Sequence, residues 1–222
     1  MMNDLPERPT LAAQNAHWEK TYAAGPEIFG SEPSEPARYA AELFRANGMS
    51  SLLELGAGQG RDTLFFAREG FSVHALDYSD TGLTAIREKA ATQGLAERIA
   101  MQRHDVRQPL PFPDACLDAC YAHMLFCMAL TSAELAFLSG EIRRVLQPGG
   151  LCVYTVRNVA DPHYQKGIHR SEAMYEMNGF IVHFFSREKV HTLAEGYEIA
   201  DIVEFEEGPL PRKLFRVTLR KQ

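Results

Sequence analysis

Hydrophobic and polar positions switch repeatedly between two periods along this chain. Ser51–Leu55 is a short apolar run that ends at Gly56. Behind it Leu64, Ala67 and Phe71 recur at helical spacing, and Gly70 supplies a stop. Residues 72–76 return to a strand pattern closed by Asp77. Ser79 then suits the cap of a helix carrying Leu83, Ile86 and Ala90 on one face as far as Gly94. Residues 99–104 form a weaker third strand before Pro109, Pro111 and Pro113, and residues 117–122 a fourth. Thr131-Ser-Ala-Glu134 reads as a capping box in front of Leu135, Leu138, Ile142 and Val145. Pro148-Gly149-Gly150 ends that helix, and residues 151–156 are a fifth strand.

Strand–helix–strand units joined by short connections predict an α/β protein with a parallel sheet covered on both faces. The last third departs from this rhythm. Residues 158–185 read as an irregular stretch rich in aromatic residues and histidine, followed by a short helix over residues 186–194. Residues 199–205 and 214–219 are two more strands. The link between them leaves no room for a crossover helix, so they form an antiparallel pair at the sheet's edge. Seven strands are predicted, the last antiparallel.

Composition narrows the class. The chain has 222 residues, enough for one large domain or two small ones, with 45% hydrophobic and 23% charged residues. A formal net charge of −6 argues against a nucleic-acid backbone binder. Cys116, Cys120, Cys127 and Cys152 form no C-x-x-C pair, so zinc-ligand spacing is absent and no metal is expected. Three of them sit in apolar runs, as reduced core thiols of a cytoplasmic protein would. Residues 1–10 carry no apolar signal-peptide core, and no apolar run is long enough for a bilayer.

Candidate chemistry gathers at Glu54-Leu-Gly56-Ala57-Gly58-Gln-Gly60, which leaves a strand and enters a helix. Glycines there let the backbone turn sharply and approach a ligand, with helix N–H groups facing it. Asp77 lies at the tip of the next strand, where a carboxylate can accept from both hydroxyls of a ribose. A dinucleotide fingerprint would place its third glycine where this chain has Arg61, and the P-loop lysine is also missing. An acid, Glu54, precedes the loop, which suits an ammonium group better than a pyrophosphate.

Taken together, Glu54 to Gly60, Asp77-Tyr78-Ser79, His104-Asp105, residues 118–123 and Leu146-Gln-Pro-Gly-Gly150 resemble the successive motifs of class I S-adenosylmethionine-dependent methyltransferases. The resemblance covers roughly residues 48–157 and the terminal strand pair. Gly60-Arg-Asp-Thr63 with Phe65-Phe-Ala67 is similar to the small tellurite-resistance and thiopurine-type members. The family implies a Rossmann-like, doubly wound fold with S-adenosylmethionine as methyl donor. It implies that Glu54, Gly56, Ala57, Gly58, Gly60 and Arg61 surround the methionine part, that Asp77 binds the ribose and Tyr78 packs on adenine. Asp105 and Val106 would recognise the adenine amine, and His123, just past the fourth strand, would lie near the methyl group. No Asn-Pro-Pro-Tyr signature follows the fourth strand, so methylation of nucleic-acid bases is not implied.

The expected organisation is a single domain: residues 1–47 as a helical front whose Trp18, Tyr22 and Phe29 either anchor its helix or form a lid over the cofactor, 48–157 as the cofactor-binding core, 158–197 as a substrate cover with a helix, and 198–222 as the edge pair. The expected activity is methyl transfer to a sulfur, selenium, tellurium, nitrogen or oxygen atom of a small molecule, by a monomer or homodimer without nucleic-acid or membrane partners. Catalytic candidates are His123, His163, Tyr164, Tyr175 and Arg187, each of which could equally be packing or surface. Glu204, Glu206 and Glu207 read as a solvated turn. A nicotinamide-dependent oxidoreductase, or a non-catalytic donor-binding protein, are the alternatives.

Overall fold

The computed structural model describes residues 8–208 and 212–222; residues 1–7 and the tip of the last turn, 209–211, lie outside the described residues. Two helices come first, α1 (Arg8–Ala23) and α2 (Glu35–Ala46). They are followed by β1 (Ser51–Leu55), α3 (Arg61–Arg68), β2 (Ser72–Asp77), α4 (Asp80–Thr92), β3 (Ile99–Arg103), β4 (Leu117–His123), α5 (Ser132–Val145) and β5 (Leu146–Arg157). The remainder is β6 (Ile168–Ser171), β7 (Met174–Met177), β8 (Phe180–His183), α6 (Arg187–Leu193), β9 (Tyr197–Glu207) and β10 (Arg212–Lys221).

Seven strands form one sheet in the order β3-β2-β1-β4-β5-β10-β9, with β3 to β5 parallel and β10 antiparallel to both β5 and β9. Alternate residues of the central strands enter two cores. Leu52, Val73, Ala75, Ala119 and Tyr121 meet α2, α3 and α4 on one face; Leu53, Leu55, Cys120, Tyr154 and Val156 meet α5 and α6 on the other. Burial on both faces is why these strands read as unbroken apolar runs. The capping box holds: the Thr131 hydroxyl accepts from Glu134 N–H, and Glu134 accepts from Thr131 N–H.

Three features differ from the sequence expectation. β5 starts at Leu146, because Pro148-Gly149-Gly150 lies in a bulge of the strand and does not merely end α5. A Cβ on Gly150 would stand 2.8 Å from Gln147 O and 2.9 Å from Asp118 O, so only glycine passes there. His123 is the last residue of β4 and not a residue beyond it, since it pairs in register with Thr155. Residues 158–185 are not irregular: they contain the antiparallel sheet β6-β7-β8. Its strands are only four residues long and their alternation is weak, so the pattern was hidden.

That small sheet is fastened by a buried imidazole. His183 Nδ1 donates to Leu130 O at 2.7 Å, and its Nε2 faces Lys189 Nζ at 2.7 Å and Glu172 Oε2 at 3.5 Å. Burial first, and then the Lys189 charge, hold its pKa down at about 4 against an ordinary 6.5. Between those two values the unfolded chain takes a proton that the folded chain refuses. This contribution therefore costs stability as pH falls from 6.5 to about 4, by up to about 3 kcal/mol. Urea unfolding at pH 7 and pH 4.5 should show a larger loss for the wild type than for His183→Gln. Equal losses in the two proteins would refute the assignment.

Candidate functional site

The strand order reverses between β1 and β4, and crevices that hold ligands form beyond the carboxyl ends of strands at such a reversal. The loop after β1 is shaped by backbone demands. Gly56 N–H and Ala57 N–H both donate to Leu76 O, at 2.8 and 3.2 Å, which ties the loop to β2. Gly60 adopts a φ of +84°, and a Cβ there would stand 2.6 Å from Ile86 Cγ1.

Asp77 locks the loop to α4. Its Oδ2 accepts from Gly58 N–H and its Oδ1 from Ser79 N–H, each at 2.8 Å. The side chain is 5% exposed. Burial pushes its pKa up to about 6, against the lowering effect of those two N–H groups. Ser79 caps α4, its hydroxyl accepting from Gly82 N–H at 3.0 Å.

Glu54, one residue before the end of β1, is buried, and its Oε2 has no hydrogen-bond partner among the described residues; nor has the nearby Thr63 hydroxyl. Burial, then the neighbouring Asp62 carboxylate, raise its pKa well above the usual range. Arg61 opens α3, with Nε 3.3 Å from Asp62 and Nη1 donating to Phe29 O. Asp62 also accepts from Ser34 N–H, the Ser34 hydroxyl and the Tyr121 hydroxyl.

Next to β2 and β3 a cavity of about 530 Å³ is lined by Asn15, Tyr78, Arg103, His104, Asp105 and Arg107. The sequence thus brought Tyr78 and Asp105 to one place, but it missed the partner of Asp105. Arg107 grips both Asp105 oxygens through Nε and Nη2, at 2.6 to 3.0 Å. Burial opposes the charge on Asp105, and Arg107 outweighs it, so the carboxyl sits below its usual range. Val106 packs half-buried against the adjoining core.

The front of the protein lies over the glycine loop. Trp18 packs on Tyr22 with ring centroids 5.3 Å apart, and also on Phe29 and Phe180. The Tyr22 hydroxyl is 3.0 Å from where a Cβ on Gly58 would stand. Gln59 donates to Tyr22 O and Gly25 O, Asn15 to Tyr78 O, and Glu19 accepts from Asp80 N–H. Gln14 bonds Gly179 O and Ile181 N–H of the small sheet, so α1 bridges that sheet and α4.

The catalytic candidates divide. His123 Nδ1 is 2.9 Å from the Thr155 hydroxyl, and its Nε2 is 3.4 Å from Glu207 Oε1. His163 is at the rim beyond β5, where its Nδ1 accepts from Arg157 Nη2 at 2.6 Å, and Asp161 pairs with that same buried arginine. Tyr164 and Tyr175 form an edge-to-face pair 5.7 Å apart, and both lie against Phe184. Arg187 does not join them. It pairs with the exposed Glu204 at 3.0 Å and lies over Phe215. Glu207 corrects the reading of a solvated turn, because it turns inward to His123. Sequence spacing could not reveal this; the two residues are 84 positions apart and meet only through strand pairing. Gly82 was also missed, although a glycine in the first turn of a helix is itself a signal of close approach.

Known proteins share this fold. Residues 52–150 match a family model described as a methyltransferase domain. The demethylmenaquinone methyltransferases of Tropheryma whipplei strains Twist and TW08/27 are each 32% identical over 117 residues, 52% of this chain and 45% of theirs. The chain therefore spans about half the length of the curated relatives it matches. Among solved structures, the Burkholderia thailandensis 1,6-didemethyltoxoflavin-N1-methyltransferase, with 1,6-didemethyltoxoflavin and S-adenosylhomocysteine bound, superposes with a TM-score of 0.77 at 18% identity, covering 100% of this chain and 92% of that one. TehB from Haemophilus influenzae gives 0.69 at 15% identity, covering 92% and 67%. At such identities the superpositions show a shared fold.

Proposed function

We propose that this chain is a class I S-adenosylmethionine-dependent methyltransferase, whose strand tips hold S-adenosylmethionine and present it to a small-molecule acceptor; the match of residues 52–150 to a methyltransferase domain supports this. The observation that carries this reading is the Gly58–Asp77 lock beside the buried acid Glu54, whose Oε2 has no hydrogen-bond partner among the described residues. A buried acid oxygen without a hydrogen-bond partner is suited by a cationic donor, and the ammonium of S-adenosylmethionine is one. The residues fit the rest of the molecule as well. Asp77 would take the ribose hydroxyls on its remaining lone pairs, and Tyr78 would pack on adenine. Asp105 and Val106 would meet the adenine amine, with Arg107 keeping the Asp105 carboxylate ionised.

When bound, S-adenosylmethionine supplies a methyl group on a positively charged sulfur, which is electrophilic without further activation. The protein's part is then alignment and exclusion of water. Holding two reactants in line accounts for several kcal/mol of barrier. Trp18 and Tyr22 would exclude solvent over the glycine loop. Tyr164, Tyr175 and His163 would line the acceptor side, with the His163 ring free to donate through Nε2 because its Nδ1 is an acceptor. Arg187 has no role in this arrangement.

Calorimetric titration with S-adenosylmethionine, S-adenosylhomocysteine and a nicotinamide dinucleotide tests the reading. The first two should bind with micromolar affinity and the third should give no heat. Trp18 is the chain's single tryptophan, so donor binding should also change the protein's fluorescence, and Trp18→Phe should abolish that signal. Dinucleotide binding with no response to S-adenosylmethionine would overturn the reading.

A further inference from the structure

We propose that Glu207 receives the proton of the methyl acceptor, that His123 is its positioning residue, and that the acceptor atom is nitrogen. This rests on the methyltransferase reading above. The topology puts Glu207 in the right region. β10 runs antiparallel to β5, pairing Leu214 with Arg157 at the tip of β5, and β9 pairs Glu207 with Arg212 two residues earlier. Glu207 is thus carried beyond the carboxyl end of the parallel strands. Its side chain reaches back across the tips of β10 and β5 to His123, which ends β4 at the point where the strand order reverses.

The hydrogen bonds assign the roles. The Thr155 hydroxyl accepts from Met124 N–H at 3.0 Å and stands 2.9 Å from His123 Nδ1, so that ring nitrogen is engaged. The other ring nitrogen, Nε2, faces Glu207 Oε1 at 3.4 Å. Both ring nitrogens thus face protein groups, which suits His123 to position its partner. Among the described residues His123 is the partner of Glu207 Oε1, and the second carboxylate oxygen has capacity to accept a proton. Burial opposes its charge, but His123, Arg61 and Arg212 overcome this and hold the carboxyl below its ordinary range.

A carboxylate of that kind selects its chemistry. Thiolates, selenolates and tellurite are anions and would be repelled. A phenol or alcohol must lose its proton as it attacks, and a carboxylate held below its ordinary range is far too weak a base for that. A neutral nitrogen attacks through its lone pair and becomes acidic only as it gains positive charge. In the step, the lone pair forms the N–C bond, the methyl–sulfur pair stays on sulfur, and the N–H proton passes to Glu207. The fixed negative charge also stabilises the positive charge that develops on nitrogen.

The test uses the full chain, methyl-labelled S-adenosylmethionine and a panel of benzimidazole, 2-aminopyridine, catechol, thiophenol and tellurite, with products identified by mass spectrometry. Label should enter the two nitrogen compounds alone. Glu207→Gln should lower kcat by about 10²- to 10³-fold. It should also weaken nitrogen-probe binding to the S-adenosylhomocysteine complex at least tenfold, with S-adenosylhomocysteine affinity within twofold of wild type. His123→Asn should cost less, and adding it to Glu207→Gln should cost nothing more, as expected of a residue acting through its partner. Transfer to catechol, thiophenol or tellurite, transfer to no probe despite bound donor, or full activity of Glu207→Gln would each overturn the proposal. Absence of donor binding in the wild type would instead overturn the methyltransferase reading beneath it.

Discussion

Asp77→Ala is expected to weaken S-adenosylhomocysteine binding about 100-fold, measured by calorimetry at pH 7.5, while the protein remains folded. Two hydrogen bonds from ribose hydroxyls to a carboxylate are each worth roughly 1.5–3 kcal/mol, and a loss of about 3 kcal/mol is about 100-fold in affinity. The variant also releases Gly58 N–H and Ser79 N–H, which costs stability. Removing a charge that burial already disfavours offsets part of this cost, so the fold should survive. The same residue sets a pH dependence. Ribose hydroxyls would donate to the ionised carboxyl, so donor affinity should hold above pH 6 and fall below it, as protonation removes the acceptor. Asp77→Asn should flatten that profile. An unchanged dissociation constant for Asp77→Ala would show that the ribose lies elsewhere.

Gly82→Ala should have the other large effect. Gly82 is in the first turn of α4, and a Cβ there would stand 2.5 Å from Gly58 O and 3.0 Å from Gly58 C. The obstacle is backbone of the ligand loop, which cannot swing aside as a side chain can. Overpacking of this kind costs about 1–3 kcal/mol, and at about 2–4 °C per kcal/mol for a chain of this size the melting temperature should fall by roughly 3–10 °C. Because α4 would be pushed off the loop, donor affinity should drop as well. Gly140→Ala, in the middle of α5 with nothing within 4 Å of its would-be Cβ, is the control. There alanine should be neutral or stabilising by up to about 1 kcal/mol, since glycine is the poorer helix former. Similar melting temperatures for the two variants would contradict the close packing of α4 on the loop.

What could be read in advance follows from the range of the forces involved. Strand and helix periods, the caps at Ser79 and Thr131 and the turn at Gly56 to Gly60 are local, and they appear in the structure where the chain places them. The parallel core is local at one remove, because a strand buried on both faces must be apolar throughout. The small sheet β6-β7-β8 was not legible, since four-residue strands leave too few alternations to stand out from a loop.

The sequence by itself determined the α/β architecture, the glycine loop and the acids Glu54, Asp77 and Asp105 at the strand tips, because each is specified by residues only a few positions apart. Only the tertiary structure decided which partners those groups meet. Arg107 closes on Asp105, Tyr22 settles over Gly58, Arg187 turns away to Glu204, and Glu207 reaches His123 across two intervening strands. These contacts depend on sheet order and on chain segments folding back over the strand tips. Such long-range encounters are chosen by packing of the whole and leave no periodic trace in the chain.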